Sequence, residues 1–334
     1  VSQTVNHRQS TPQLLRSVYA PIAEEMQQVE GVLRRELRSR YASVDELVRY
    51  GCLLGGKRLR PALLLLSAKA AGRVTPDHCV LAAVVEIIHT ATLIHDDVLD
   101  EARQRRHLET VNSRWDNKSS VLLGDYLFTH SFYLASTLES TLACRLIGRA
   151  TNIVCEGELR QIANRGNFAL SEREYLEIIE AKTAELCSCA CRLGARYAGA
   201  GEDTVERMAA FGRDLGIAFQ IADDLLDVLG DEETTGKSLG TDLDQRKPTL
   251  PLIRVLELAD ADERRHLLEL LEGDSRELAQ ALPAWLERYD ALDYAREKAL
   301  DFSRRAVEQL DVLSGGPAAD VLRTIAQFAV TRSQ

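Results

Sequence analysis

Residues Leu93–Asp100 read LIHDDVLD, three carboxylates closing a run of leucine, isoleucine and valine that begins near Pro76. The run is apolar around much of its circumference and is longer than the average globular helix of about 11 or 12 residues. Such a helix belongs in the middle of a bundle, where acids need a reason to be. Residues Ile221–Asp227, IADDLLD, repeat the arrangement far down the chain, so the question concerns a pair of sites.

Working outward, apolar residues recur at three- and four-residue spacing, as in LLRSVYAPIAEEMQQVEGVLRREL (14–37), with almost no sustained period-2 alternation. This predicts an all-α, single-domain helical bundle over 1–334, with residues 1–10 a flexible N-terminal extension. Ser10 or Thr11 with Pro12 gives a helix start. GGKRLRP (55–61), RVTPDH (73–78), NRGNFALS (164–171), AGAGED (198–203) and LSGGP (313–317) supply breaks or caps. The pattern gives about ten to thirteen helices, with long ones over Pro76 to about Asp100 and Ser171 to about Ala198. No linker, low-complexity tract or composition step marks a domain boundary.

At 334 residues and 45% hydrophobic content the chain can bury a large core. The net charge of −10 argues against nucleic acid or an anionic membrane surface as partner, and an anionic substrate would need local cations. Seven cysteines without disulfide-like spacing, and an N-terminus without a signal pattern, are the expectation for a reduced, cytoplasmic protein. The run Val80–Ile94 carries Glu86 and His89 and falls short of the roughly 20 apolar residues of a spanning helix, so no transmembrane segment is expected.

On a helix, Asp96 and Asp100 share a face with Asp97 beside them, and Asp223, Asp224 and Asp227 do likewise. Six carboxylates in an apolar setting cannot all stay ionised without cations. A single motif could equally be a solvated acidic turn at a helix end; two copies, each preceded by apolar residues, speak against that. Hard oxygen ligands with open positions suit Mg²⁺ shared with substrate phosphates, and no EF-hand-like loop points to calcium storage. Lys57, Arg58 and Arg60 follow a Gly-Gly break, Arg105 and Arg106 lie just beyond the first motif, and Lys237 and Lys247 follow the second. Any one is ordinarily a surface charge, but three clusters bracketing two acidic motifs suit a polyphosphate.

In order and spacing, GGKRLRP, IHTATLIHDDVLDEARQRR, LLGDYLF, AKTAEL, FQIADDLLD and TGKSLGTDL…KPTLP resemble the trans-isoprenyl diphosphate synthases, or polyprenyl synthetases, from roughly Tyr19 to the C-terminus. The resemblance implies an isoprenyl-synthase-type bundle with a central substrate cavity, usually a homodimer, and Mg²⁺, three ions with bound diphosphate. It implies Asp96, Asp100 and Asp223 as principal metal ligands, with Asp97, Asp224 and Asp227 supporting. Gly56, Lys57, Arg60, His89 and Arg106 resemble the isopentenyl diphosphate site. Arg105, Lys182, Lys237 and Lys247 resemble the groups that grip the allylic diphosphate, and Thr183 and Gln220 the polar atoms near the reacting carbons. The family's usual RRGxPT reads RRHLET here, with His107 for glycine and Glu109 for proline, which puts the aim of Arg106 in question.

Thr92 and Ala91 lie four and five residues before Asp96, about one turn below the acids. Short-chain members commonly carry an aromatic there, so small residues imply an open floor and a medium or long, octaprenyl-like product. Ile88, or aromatics in GDYLFTHSFY, would instead close the tunnel early and give a short chain. A terpene cyclase would lack the second motif and GGKRLRP; a non-catalytic subunit of a heteromeric synthase is the reading that RRHLET leaves open. Cys187, Cys189 and Cys191 in CSCAC read as small core residues, and Glu156 and Glu158 receive no assignment.

Overall fold

Each sequence break separates two helices in the computed structural model, which describes residues 19–53, 56–105, 107–229, 243, 245–273 and 275–331. The 1–10 extension and the start signal at Ser10–Pro12 lie outside these residues. The first four helices are α1 (Ala23–Glu36), α2 (Ala42–Leu53), α3 (Leu59–Ala71) and α4 (Pro76–Leu99). After a small hairpin come α5 (Asn117–Ser136), α6 (Leu142–Ala163), α7 (Glu172–Ile179), α8 (Glu185–Tyr197) and α9 (Glu202–Leu229). The C-terminal part holds α10 (Leu250–Leu258), α11 (Ala261–Glu272), α12 (Ser275–Arg288), α13 (Ala291–Gln309) and α14 (Pro317–Thr331). The fold is all-α; with the one-turn helix Val111–Arg114 set aside, these fourteen helices exceed the sequence count by one among the described residues.

α4 starts where its sequence says it should. Pro76 occupies the first turn, where a missing N–H is harmless, and the Thr75 N–H donates to His78 Nδ1 at 2.9 Å. His78 Nε2 faces the Gly194 carbonyl at 3.1 Å, which assigns the proton to Nε2, and burial pushes this imidazole below its ordinary value. α4 is long and apolar enough to cross a bilayer by length and composition, contrary to the sequence expectation, but 72% of its apolar window is buried in the fold. It is a core helix. Leu63–Leu66 of α3 are wholly buried in the same cluster, each contributing about 1.5–3 kcal/mol.

A second cluster, with Tyr175, Ile178, Ile217, Ile221 and Leu225, packs beneath the second acidic motif. α9 joins the two, since Met208, Phe211 and Leu215 of its N-terminal half belong to the main core. Between α7 and α8 the expected long helix widens into a π-helical segment, Glu180–Ala184, a feature often found at functional sites. Glycines press on it from both sides. A Cβ on Gly157 of α6 would lie 2.6 Å from the Lys182 backbone nitrogen, and one on Gly216 of α9 would lie 2.5 Å from Ala184 Cα.

No sequence signal announced the antiparallel hairpin Gln104–Arg105/Leu108–Glu109, in which Arg105 faces Leu108. His107 lies in its turn with φ of 64°, the left-handed region where glycine is at ease. Glu109 is placed differently. Thr110 N–H donates to the Arg103 carbonyl, so Gln104 and Glu109 form the non-hydrogen-bonded pair, and a proline at 109 would lose no ladder bond.

Candidate active site

The C-terminal end of α4, the π segment, α6 and α9 bring their polar residues to one region. Lys182 Nζ lies 2.7 Å from Glu158 Oε2 and donates to Gln161 Oε1 at 2.6 Å. Burial alone would lower this ammonium, but Asp96, Glu158 and Asp100 together hold it above the ordinary lysine value. Burial pushes the Asp96 carboxyl up to about 6; Lys182 opposes the rise, while Glu158 and Asp100 add to it.

The three acids of the first motif have different companions. Asp97 is 2% exposed and accepts from Arg105 Nε and Nη2, each at 2.8 Å. Its backbone carbonyl accepts from Ala102 N–H at 2.9 Å, so the motif and the hairpin brace one another. Asp100 Oδ1 accepts from Arg165 Nη2 at 2.8 Å, and Lys247 Nζ stands 3.6 Å from the same oxygen.

In the second motif, Asp224 is buried and accepts from the Tyr175 hydroxyl at 2.6 Å and from Gln220 Nε2 at 2.8 Å. Gln220 Oε1 in turn accepts from the Thr183 hydroxyl at 2.8 Å. Asp223 and Asp227, one turn apart, are half-buried. A cleft lined by Gln161, Tyr175, Lys182, Gln220, Asp224 and Lys247 links the motifs, because Lys247 on its wall also reaches Asp100. A larger hollow of about 420 Å³ beside α13, lined by Lys298, Asp301, Phe302 and Arg304, contains no residue of either motif.

Among the described residues no three carboxylate, imidazole or thiol groups converge on a common point. The donor chemistry nevertheless fits a hard cation: Asp96 and Asp100 are carboxylates near enough to repel one another, with burial the main cause of the raised Asp96 value. Asp97 and Asp224 are held by Arg105, Tyr175 and Gln220, while Asp100 faces Arg165 and Lys247 and Asp96 lies near Lys182.

Residues 42–286 match the polyprenyl synthetase family. The chain belongs to that family. It is 34% identical to octaprenyl diphosphate synthase of Escherichia coli over 93% of this chain and 97% of that one. A decaprenyl diphosphate synthase structure from Rhodobacter capsulatus superposes with a TM-score of 0.90 at 38% identity, covering 96% of this chain and 99% of the other. A polyprenyl synthase from Caulobacter crescentus, complexed with calcium and isoprenyl diphosphate, gives 0.89 at 34% identity, covering 96% and 98%. The chain is thus a prenyl diphosphate synthase, an enzyme of prenyl transfer.

The synthase places other expected residues as follows. Gly56 and Lys57 precede α3 and Arg60 lies in its first turn, while His89 sits on α4 two turns before Asp96. Arg106 and Lys237 lie outside the described residues. Arg58, grouped in the sequence with the phosphate-binding cations, is diverted: its backbone is left-handed (φ 54°), and its guanidinium pairs with Glu30 and the buried Glu86, each at 2.8 Å. Ala91 is wholly buried, and Thr92 is half-buried with its hydroxyl donating to the His89 carbonyl. Glu158, Gln161, Arg165 and Tyr175 were missed; only an acid-rich stretch in CEGELRQI hinted at the first of them. The three cysteines of CSCAC are buried, and burial raises their thiols, in keeping with core residues.

Proposed function

We propose that this enzyme is a Mg²⁺-dependent trans-prenyltransferase that condenses isopentenyl diphosphate with an allylic diphosphate, repeatedly, to a medium or long, octaprenyl-like chain. The observation that carries the reading is the shared cleft, in which Lys247 touches Asp100 and Lys182 neighbours Asp96, while both line the same wall as Asp224. Two acidic motifs joined through common cations suit one diphosphate held between them.

Asp96, Asp100, Asp223 and Asp227 would hold three magnesium ions with the diphosphate, and those ions would stabilise the charge that develops on the leaving oxygen. Lys182 and Lys247 add fixed positive charge at the same place, already positioned before ionisation begins. The C–O bond of the allylic substrate breaks, its electrons leaving with diphosphate, and the alkene of isopentenyl diphosphate attacks the cation. A proton is then lost, with the departed diphosphate as acceptor. Thr183 and Gln220, aligned by the hydrogen-bond chain to Asp224, present oxygen dipoles to the cationic carbon. Lys57, Arg60, His89 and Arg106 would bind isopentenyl diphosphate, with Arg58 and Glu86 orienting that loop.

Purified protein given labelled isopentenyl diphosphate, a short allylic diphosphate and Mg²⁺ is expected to yield long polyprenyl diphosphates. No product sinks the enzymatic reading and favours a supporting subunit; a short product sinks the chain-length reading alone. The small Ala91 and Thr92 support the open floor, and Ala91→Phe is expected to shorten the product, as mass spectrometry would read. A second copy would cover the exposed face of α5, where Leu122 and Tyr133 are 67% and 64% exposed; light scattering that finds only monomer would refute this pairing.

A further inference from the structure

Arg165 lies in the α6–α7 connection, which the sequence marks only as a helix break. Its Nη2 donates to Asp100 Oδ1 at 2.8 Å, the oxygen that Lys247 also approaches at 3.6 Å. Two segments far apart in the chain thus present cations to one carboxylate oxygen. They are also tied directly to each other. Gly166 N–H donates to the Arg246 carbonyl at 2.7 Å, and the Arg246 guanidinium lies over the Phe168 ring, 5.6 Å from its centroid. Both sides of this clasp use left-handed backbone, with φ of 74° at Gly166 and 52° at Arg246. Arg165 Nε is buried without a hydrogen-bond partner.

We infer that Arg165 joins Lys247, which the resemblance already places on the allylic diphosphate, as a paired clamp for one of its phosphates, which makes the α6–α7 connection part of the substrate site. The inference rests on the prenyl synthase reading above. A guanidinium whose side chain is only 28% exposed needs an anion, because leaving it unpaired costs more than the pair contributes. Were Asp100 to ligate a divalent ion, Oδ1 would no longer serve both cations, and a diphosphate bound beside that ion would supply the anion they need. The planar fork of arginine matches two phosphate oxygens, while lysine follows as a mobile point charge. The backbone clasp holds the two segments together before substrate arrives, which limits the ordering cost on binding.

Calorimetric titration of the full-length protein with inorganic diphosphate in excess Mg²⁺ tests the clamp. Arg165→Met is expected to weaken binding by ~10–100-fold and Arg165→Lys to recover part of it, in line with loss of a charge-assisted pair. In steady state, KM for the allylic substrate should rise in Arg165→Met while KM for isopentenyl diphosphate holds. Parent-like diphosphate affinity in that variant overturns the clamp, as does an equal rise of both KM values with a lowered melting temperature, which marks a structural role. A parent protein that binds no magnesium diphosphate overturns the reading of the site and the clamp with it. Should Arg165→Met fail to fold, Arg165→Gln gives the same readout.

Discussion

Asp97 and Asp224 hold the same place in the two acidic motifs and are similarly buried, at 2% and 6% exposure, yet their surroundings differ in kind. Asp97 faces a guanidinium fork delivered by a hairpin nearby in the chain. Asp224 accepts from a phenol and an amide, and the amide passes the contact on to Thr183. One pattern therefore supports two devices. At the first motif charge locks a hairpin against the helix end; at the second, dipoles tie the acid to Gln220 and, through it, to Thr183.

The severest test removes the outer acids instead. Asp96→Ala and Asp223→Ala are each expected to lower turnover by roughly a thousandfold or more, the scale of losing electrostatic stabilisation of a leaving group, with circular dichroism unchanged. Near-normal turnover in both would end the metal reading of either motif. Breaking the inner pairs then separates the two devices. Arg105→Met leaves a buried, unpaired carboxylate and should cost about 3–5 kcal/mol in a denaturant titration. Tyr175→Phe removes one neutral donor and should cost about 1–3 kcal/mol. Equal losses would mean that charge and dipole do the same job.

A smaller effect follows pH. Asp96 binds its proton more tightly in the fold, at about 6 against an ordinary 3.8. The folded state thus holds more protons between those values. Its increment to stability is fully present below 3.8 and is lost as pH rises through about 6. Denaturant midpoints without divalent ions should show this, and Asp96→Asn should flatten it. Magnesium affinity should run the other way, falling by up to ~10-fold per pH unit below that value as a proton competes for the site.

Much of the architecture was legible because helix signals are local. Pro76 after Thr75, the glycines of AGAGED and the period of α4 each act within a turn or two of themselves, and the helices begin and end accordingly. The π segment was not legible, because it depends on Gly157 and Gly216 admitting the backbone from two other helices. Arg58 shows the same limit. It sits beside Lys57 and Arg60, with which the sequence groups it as a phosphate ligand, but a left-handed φ and the buried Glu86 turn it away. His107 was flagged as a departure from the family, and its φ of 64° shows the physical reason, a strain of about 1 kcal/mol that glycine would not carry.

The sequence by itself determined an all-helical chain of the polyprenyl synthetase family carrying two acidic helix faces, since period and motif spacing are properties of neighbouring residues. Tertiary structure alone decided which cation or donor meets each acid: Arg105 for Asp97, Arg165 and Lys247 for Asp100, Glu158 for Lys182, Tyr175 for Asp224. All but the Arg105–Asp97 pair join segments distant in the chain, and a charge is neutralised by whatever packing brings within about 4 Å, a distance that sequence separation does not encode.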